Sequence, residues 1–151
     1  MNEIIFSLAS LGAMFGWTGL GLAVLAPPGS LRDLLLTFSG RIVPVALCLL
    51  YAVLLVIYWG TAPDGSFSSL FAVQTLFSVA GKMLGGWVHF LAFDLLIGHW
   101  IANEVLVHGR SRLPLTILLP ATFMYGPIGL LLYLLTRLSF SSQPASPSST
   151  S

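Results

Sequence analysis

No charged residue stands between Glu3 and Arg32, between Arg41 and Asp64, or between Arg112 and Arg137. Runs of this length constrain the fold more than any motif does. A helix rising about 1.5 Å per residue crosses a hydrocarbon core of about 30 Å in roughly 20 apolar residues. Ile4 to Leu25 is the first predicted span, and Pro27-Pro28-Gly29 ends it by removing donors and breaking helical geometry. The second is expected from about Val43 to Trp59, with Pro44 in its first turn and Tyr51, Tyr58 and Trp59 as interfacial anchors. Leu84 to Ala102 supplies the third. The fourth lies at about 113–136, where Pro120 and Gly126-Pro127 each predict a kink, because proline deletes a backbone hydrogen bond. Phe67 to Ala80 is apolar but short, and Gly81-Lys82 follows, so an interfacial or re-entrant helix is expected there. The predicted fold class is therefore all-α: a polytopic membrane protein with four transmembrane helices plus that short helix. Residues 1–140 form one domain, and the Ser/Pro-rich segment 141–151, unable to bury a core, is expected to be disordered.

Composition agrees with a bilayer as solvent. Only 7% of residues are charged and 56% are hydrophobic, whereas soluble domains are about a quarter charged. A net charge of +1 excludes the dense basic face of a nucleic-acid binder. Cys48 is the single cysteine, so no internal disulfide forms. Three scattered histidines, without a Cys pair, a Gly-rich phosphate cradle or a Gly-x-Ser-x-Gly elbow, give no expectation of a metal or cofactor. Arg32 and Arg41 in the first loop, with Arg110 and Arg112 in the third, outnumber Lys82 and Arg137 on the other side. Loops one and three are thus expected in the cytoplasm, with both termini opposite. Met1-Asn2-Glu3 lacks a basic n-region and a Ser/Arg-rich import leader. The first span is expected to be retained, and the bacterial inner membrane is the expected location, with the chloroplast or thylakoid membrane as the alternative.

The residue that stands out chemically is Asp94, about nine residues from either end of the third span. A carboxylate there cannot snorkel to water, and holding one at mid-bilayer costs about 2.5–3.5 kcal/mol on insertion scales. Two explanations stay open: a hydrogen-bonded packing role across the bundle, or a role in a ligand, proton or catalytic site. Trp87, Phe90, Leu91, Ile97, Gly98 and Ile101 share its helical face. Aromatic rings and a glycine gap beside an acid suit an elongated apolar ligand with one polar end, and suit close helix packing equally. His89 and His99 lie five residues to either side, about 500° of helical turn away, and so occupy other faces. They are also about 15 Å apart along the axis, which excludes chelation of one metal from this helix. Gly12-Ala13-Met14-Phe15-Gly16 allows close backbone approach in the first span. Tyr125 sits where Gly126-Pro127 weakens the fourth helix and could reach into the bundle or simply pack.

The third span, Gly86-Trp87-Val88-His89-Phe90-Leu91-Ala92-Phe93-Asp94-Leu95-Leu96-Ile97-Gly98-His99-Trp100-Ile101, resembles the signature of the neoxanthin-synthase family, the abscisic-acid-deficient-type membrane proteins with bacterial relatives. Trp17 followed by Pro27, Ser68-Ser69-Leu70 before Leu76-Phe77, and Gly126-Pro127-Ile128-Gly129-Leu130-Leu131 are similar to the family in the same order. The family more often has arginine where this chain has His99. The resemblance implies work on carotenoids or related isoprenoids: redox-neutral isomerisation of a 5,6-epoxide to an allene with a tertiary alcohol. It further implies Asp94 and His89 as acid and base, with His99 or Tyr125 in support, and Trp87, Phe90, Phe93 and Trp100 as a groove for a polyene. Two alternatives remain beside a carotenoid isomerase: a pigment-holding subunit of a membrane complex, and a small proton-coupled carrier working as a homodimer. The expected partners are membrane lipid and a hydrophobic small molecule.

Overall fold

The computed structural model describes residues 1–109 and 111–141, excepting the side chains of 138–141, and no strand occurs among them. The expected disordered tail, apart from Ser141, lies outside the described residues. Helix α1 spans Asn2–Leu25, α2 Ser30–Thr37, α3 Val43–Ile57, α4 Leu70–Ser78, α5 Ala80–Val107 and α6 Leu115–Ser141. Helices α2 and α3 are joined without a break by one wide π-type turn over Phe38–Ile42. Four stretches are long and apolar enough to cross a membrane: Asn2–Leu25, Ser30–Ile57, Ala80–Val107 and Leu115–Arg137. The protein is thus an all-helical, multi-pass membrane protein, with the nine-residue α4 as its short extra helix.

The helical hydrogen bonding of the second span begins at Ser30, well before the expected Val43. Arg32, Asp33 and Arg41 depress hydropathy there without disturbing the helical backbone. The break between α1 and α2 is made by Pro27-Pro28 and by Gly29, whose φ of 152° is open to glycine and costly for other residues. Pro44 explains the wide turn. In a regular α-helix its ring would crowd the carbonyl of Gly40, and the π turn over Phe38–Ile42 loosens that point. Helix α5 likewise outruns the expected Leu84–Ala102 at both ends. It runs past Asn103-Glu104 to His108, where Gly109 at φ 60° turns the chain out of the helix. Ser69 caps α4 by accepting a bond from the Ala72 N–H at 3.1 Å.

Helix α5 is the axis of the bundle. It packs against α1, α3, α4, α6 and the π turn, whereas α1 and α3 meet only marginally. Val88, Ala92, Leu95, Ile101 and Ala102 of α5 form the centre of the core. Close approach to α1 runs along Ala9, Ala13, Gly16, Leu20 and Ala23, a buried line at three- and four-residue spacing. Gly16 belongs to this line, under the Leu95 and Val43 side chains, but Gly12 has nothing within 4 Å of an added Cβ. Small residues therefore do bring α1 close to its neighbours, through a stripe offset from the Gly-x-x-x-Gly pair.

Two polar ties close the bundle at its ends. Arg112, entering α6, donates from Nη1 to the carbonyls of Val24 at 2.8 Å and Ala26 at 3.2 Å. These are acceptors that α1 leaves unpaired at its C-terminus. The bond places the α1–α2 and α5–α6 connections at the same end. At the other end the Tyr58 hydroxyl donates to Asn2 Oδ1 at 2.8 Å.

Candidate functional site

Helix α6 is broken at its middle. Tyr125 has φ −143° and ψ 42°, outside the helical region, directly before Gly126-Pro127. Proline at 127 cannot bond back to Phe123 and crowds its carbonyl, so the chain yields on the N-terminal side. Pro120 lies within the same helix without a non-helical residue beside it. The bend is sharp. A Cβ added to Gly129 would lie 2.5 Å from both Cα and N of Thr122, although residues seven apart in a straight helix are separated by about 10.5 Å of rise. The buried Thr122 hydroxyl turns back to donate to the Leu118 carbonyl at 2.7 Å.

Asp94 points at this break. Its carboxylate lies against Gly126, so closely that an added Cβ would overlap Oδ1. The side chain is half-buried and opens into a groove of about 610 Å³ between α1, α5 and α6. Met14 and Trp17 of α1, Trp87 and Phe90 of α5, and Phe123 and Tyr125 of α6 form its walls. The size is that of a small-molecule site, about 300–1,000 Å³, and so is the chemistry: apolar walls around few polar groups. Trp17 is fixed by an edge-on contact with Phe123 at 5.5 Å, and its ring lies over Gly98, which has no side chain to obstruct it. Trp87 is held by Nε1 donating to Ser10 Oγ at 3.0 Å. The titratable groups of the groove are Asp94 and Tyr125, brought together from two helices.

The histidines are elsewhere. His89 lines a different groove of about 620 Å³, between α3, α4 and α5, together with Tyr51 and Trp59. Its ring stacks on Phe93 at 4.5 Å and approaches Tyr51 at 5.6 Å. His99 is turned to a third face, where its ring fills the notch at Gly40 of the π turn. Its Nδ1 is buried, without a hydrogen-bond partner among the described residues. Of the expected polyene wall, Trp87 and Phe90 do line the Asp94 groove, Phe93 is engaged with His89, and Trp100 packs edge-on against Tyr133 at 5.2 Å. Of the four expected proton-handling residues, the three on α5 thus point to three different faces, and Tyr125 of α6 shares the groove of Asp94. No cluster of three or more metal-ligating side chains occurs among the described residues.

Three contributors carry no sign in a single helix. Ser10 reads as an ordinary small residue of the first span, and its bond to Trp87 of the third appears only when the helices dock. Phe123 and Gly126 gain their roles only through the bend. A family model described as ABA DEFICIENT 4-like matches residues 4–133, which include the whole lining of the Asp94 groove. No curated protein and no solved structure matches the chain.

Proposed function

The chain belongs to the ABA DEFICIENT 4-like family, and from that premise we propose that it binds a carotenoid or related isoprenoid in the Asp94 groove and isomerises its epoxide end group. One observation carries the proposal. Asp94 and Tyr125 open into a single apolar, aromatic-walled groove at the point where α6 is broken. An epoxide-to-allene isomerisation needs an acid at the oxygen and a base at a neighbouring C–H, within reach of the same end ring. The Tyr125 hydroxyl gives its proton to the epoxide oxygen as the C–O bond on the polyene side breaks. The oxygen remains on the other ring carbon as a tertiary alcohol. The Asp94 carboxylate takes the proton from the adjacent vinyl carbon, and the C–H electron pair becomes the second double bond of the allene. Transfer of that proton from Asp94 to Tyr125 restores both groups. Substrate and product are isomers, so no oxidant or reductant is consumed. Trp87, Phe90 and Trp17 supply flat apolar faces for the ring and the chain next to it.

Supplying violaxanthin to cells that express the wild type, Asp94→Asn and Tyr125→Phe tests the roles. Neoxanthin in the wild type alone, with pigment still bound by both variants, supports them. Equal neoxanthin from wild type and Asp94→Asn removes Asp94 from the reaction. A second reading, a pigment-holding subunit, draws on the placement of His89 and His99 away from the groove, which leaves only two proton-handling groups there. Pigment that co-purifies with the wild type without any conversion favours that reading instead.

A further inference from the structure

Helix α6 is long enough to cross a membrane, but its path is set by the break at Tyr125. The first half enters beside Arg112, which bonds the Val24 and Ala26 carbonyls, and reaches Asp94, where Gly126 meets the carboxylate. Tyr133 follows Gly126 by seven residues, about 10.5 Å of helical rise. Its ring packs against Trp100 with centroids 5.2 Å apart. Trp100 lies six residues beyond Asp94 on α5, about 9 Å back toward the α5–α6 connection. Had the second half kept its course toward the α4 end, Tyr133 and Trp100 would be separated by about 19 Å along the bundle. Two side chains and a ring contact do not bridge that distance. The backbone gives the same answer, because an added Cβ on Gly129 lies 2.5 Å from Cα of Thr122, so the two halves fold onto one another. At the α4 end, the grooves of about 760 and 620 Å³ are walled by α1, α3, α4, α5 and the α3–α4 connection, with no described residue of α6 among them.

We propose that α6 is a re-entrant helical hairpin: it enters the bilayer from the α5–α6 connection, turns at Tyr125-Gly126 beside Asp94, and returns to the side from which it came. All four long apolar helices lie in the bilayer, and the two ends of the chain emerge on opposite sides of it. The proposal concerns the path of the chain and does not rest on the isomerase reading. Irregular backbone is tolerated at membrane depth only where protein shields it, and here the break is seated on α5 at Asp94. Gly126-Pro127 opens the second half-helix, with proline in the first turn, where a missing N–H costs no helical bond. The positive end of that half-helix therefore faces the Asp94 carboxylate. The charges agree. A returning α6 places Arg137 with Arg32, Arg41, Arg110 and Arg112, against Lys82 on the other side. Five basic residues against one assign the α5–α6 side to the cytoplasm more firmly than four against two, and put the C-terminus there as well.

The test uses the full chain with Cys48→Ser and one new cysteine at a time: Ser66→Cys in the α3–α4 connection, Ser111→Cys in the α5–α6 connection, or Ser146→Cys beyond α6. Each is treated with a membrane-impermeant maleimide in right-side-out and in inverted vesicles. Ser66→Cys and Ser111→Cys mark the two faces of the membrane. Ser146→Cys is expected to react on the face where Ser111→Cys reacts, and to lose its label on the face where Ser66→Cys reacts. Labelling of Ser146→Cys together with Ser66→Cys means that α6 crosses, and overturns the hairpin. Because the readout is the ratio of labelling on the two faces relative to these references, the absolute orientation of the chain does not enter. Activity does not enter either, so either outcome leaves the reading of the Asp94 groove to its own test.

Discussion

Gly126→Ala adds a single methyl group at a point where α6 touches the Asp94 carboxylate. The new Cβ would overlap Oδ1, and ordinary van der Waals contact begins near 3.4 Å, so the carboxylate has to retreat by more than about 1 Å or the bend has to open. Overpacking of this kind costs typically about 1–3 kcal/mol. If Asp94 acts on a bound ring, displacement of a reacting group by about 1 Å lowers the rate by as much as about a hundredfold. Both effects are measurable: thermal unfolding of the protein in micelles followed by circular dichroism, and conversion of supplied violaxanthin. The attribution to Asp94 is checked by a double-mutant cycle. In an Asp94→Ala background the obstacle is gone, so Gly126→Ala should add no further destabilisation, giving a coupling of about 1–3 kcal/mol. Gly21→Ala is the reference for a helical glycine with nothing within 4 Å of the new methyl, and should be neutral or stabilise by about 0.5–1 kcal/mol. Wild-type stability and wild-type conversion in Gly126→Ala would show that the carboxylate is not seated at the break, and the reasoning about the groove would fall with it.

Arg112→Ala should destabilise the bundle by at least the about 1.5–3 kcal/mol of one hydrogen bond to a charged donor, because two α1 carbonyls lose their partner; the unfolding midpoint in micelles measures it, and Arg112→Lys should recover part. Gly40→Ala should cost about 1–3 kcal/mol by pressing on the His99 ring, and a second substitution, His99→Ala, should relieve it. Full stability in Gly40→Ala would mean that His99 does not occupy the π-turn notch. Tyr58→Phe should lose about 0.5–1.5 kcal/mol with its bond to Asn2, and faster proteolytic cleavage at the N-terminus is the readout.

The uncharged runs made four long apolar helices legible because length and hydropathy are properties of single segments. Helix ends were harder. Arg32, Asp33 and Arg41 read as a loop before Val43, yet charged residues at a membrane surface are compatible with helix, and only Pro27-Pro28-Gly29 interrupts the backbone. Asp94 with Trp87, Phe90 and Leu91 could be read as one face because a helix repeats every 3.6 residues. The same geometry kept His89 and His99 off that face, although the family resemblance had grouped them with it. The bend at Gly126-Pro127 was foreseeable from proline chemistry, but its partner was not. Which side chain fills the space left by Gly126, Gly98 or Gly40 depends on how separate helices dock, and no spacing within one segment records that.

The central position of α5 bears on how the chain is put together during synthesis. Helix α1 and the second long helix leave the ribosome first, and they meet along α2 and the π turn, whereas α1 and α3 touch one another little. The last carbonyls of α1 then wait longer still, for Arg112 at the entry to α6. The two early spans can pair through α2 and the π turn as they enter the bilayer, while α1 and α3 gain their shared packing only when the third long span arrives. A nascent chain halted before residue 80 lacks the packing that α5 supplies to both α1 and α3, and should be cleaved by membrane quality-control proteases faster than one extended through Val107. For this bundle, pairing begins early at the α2 end and assembly is completed late.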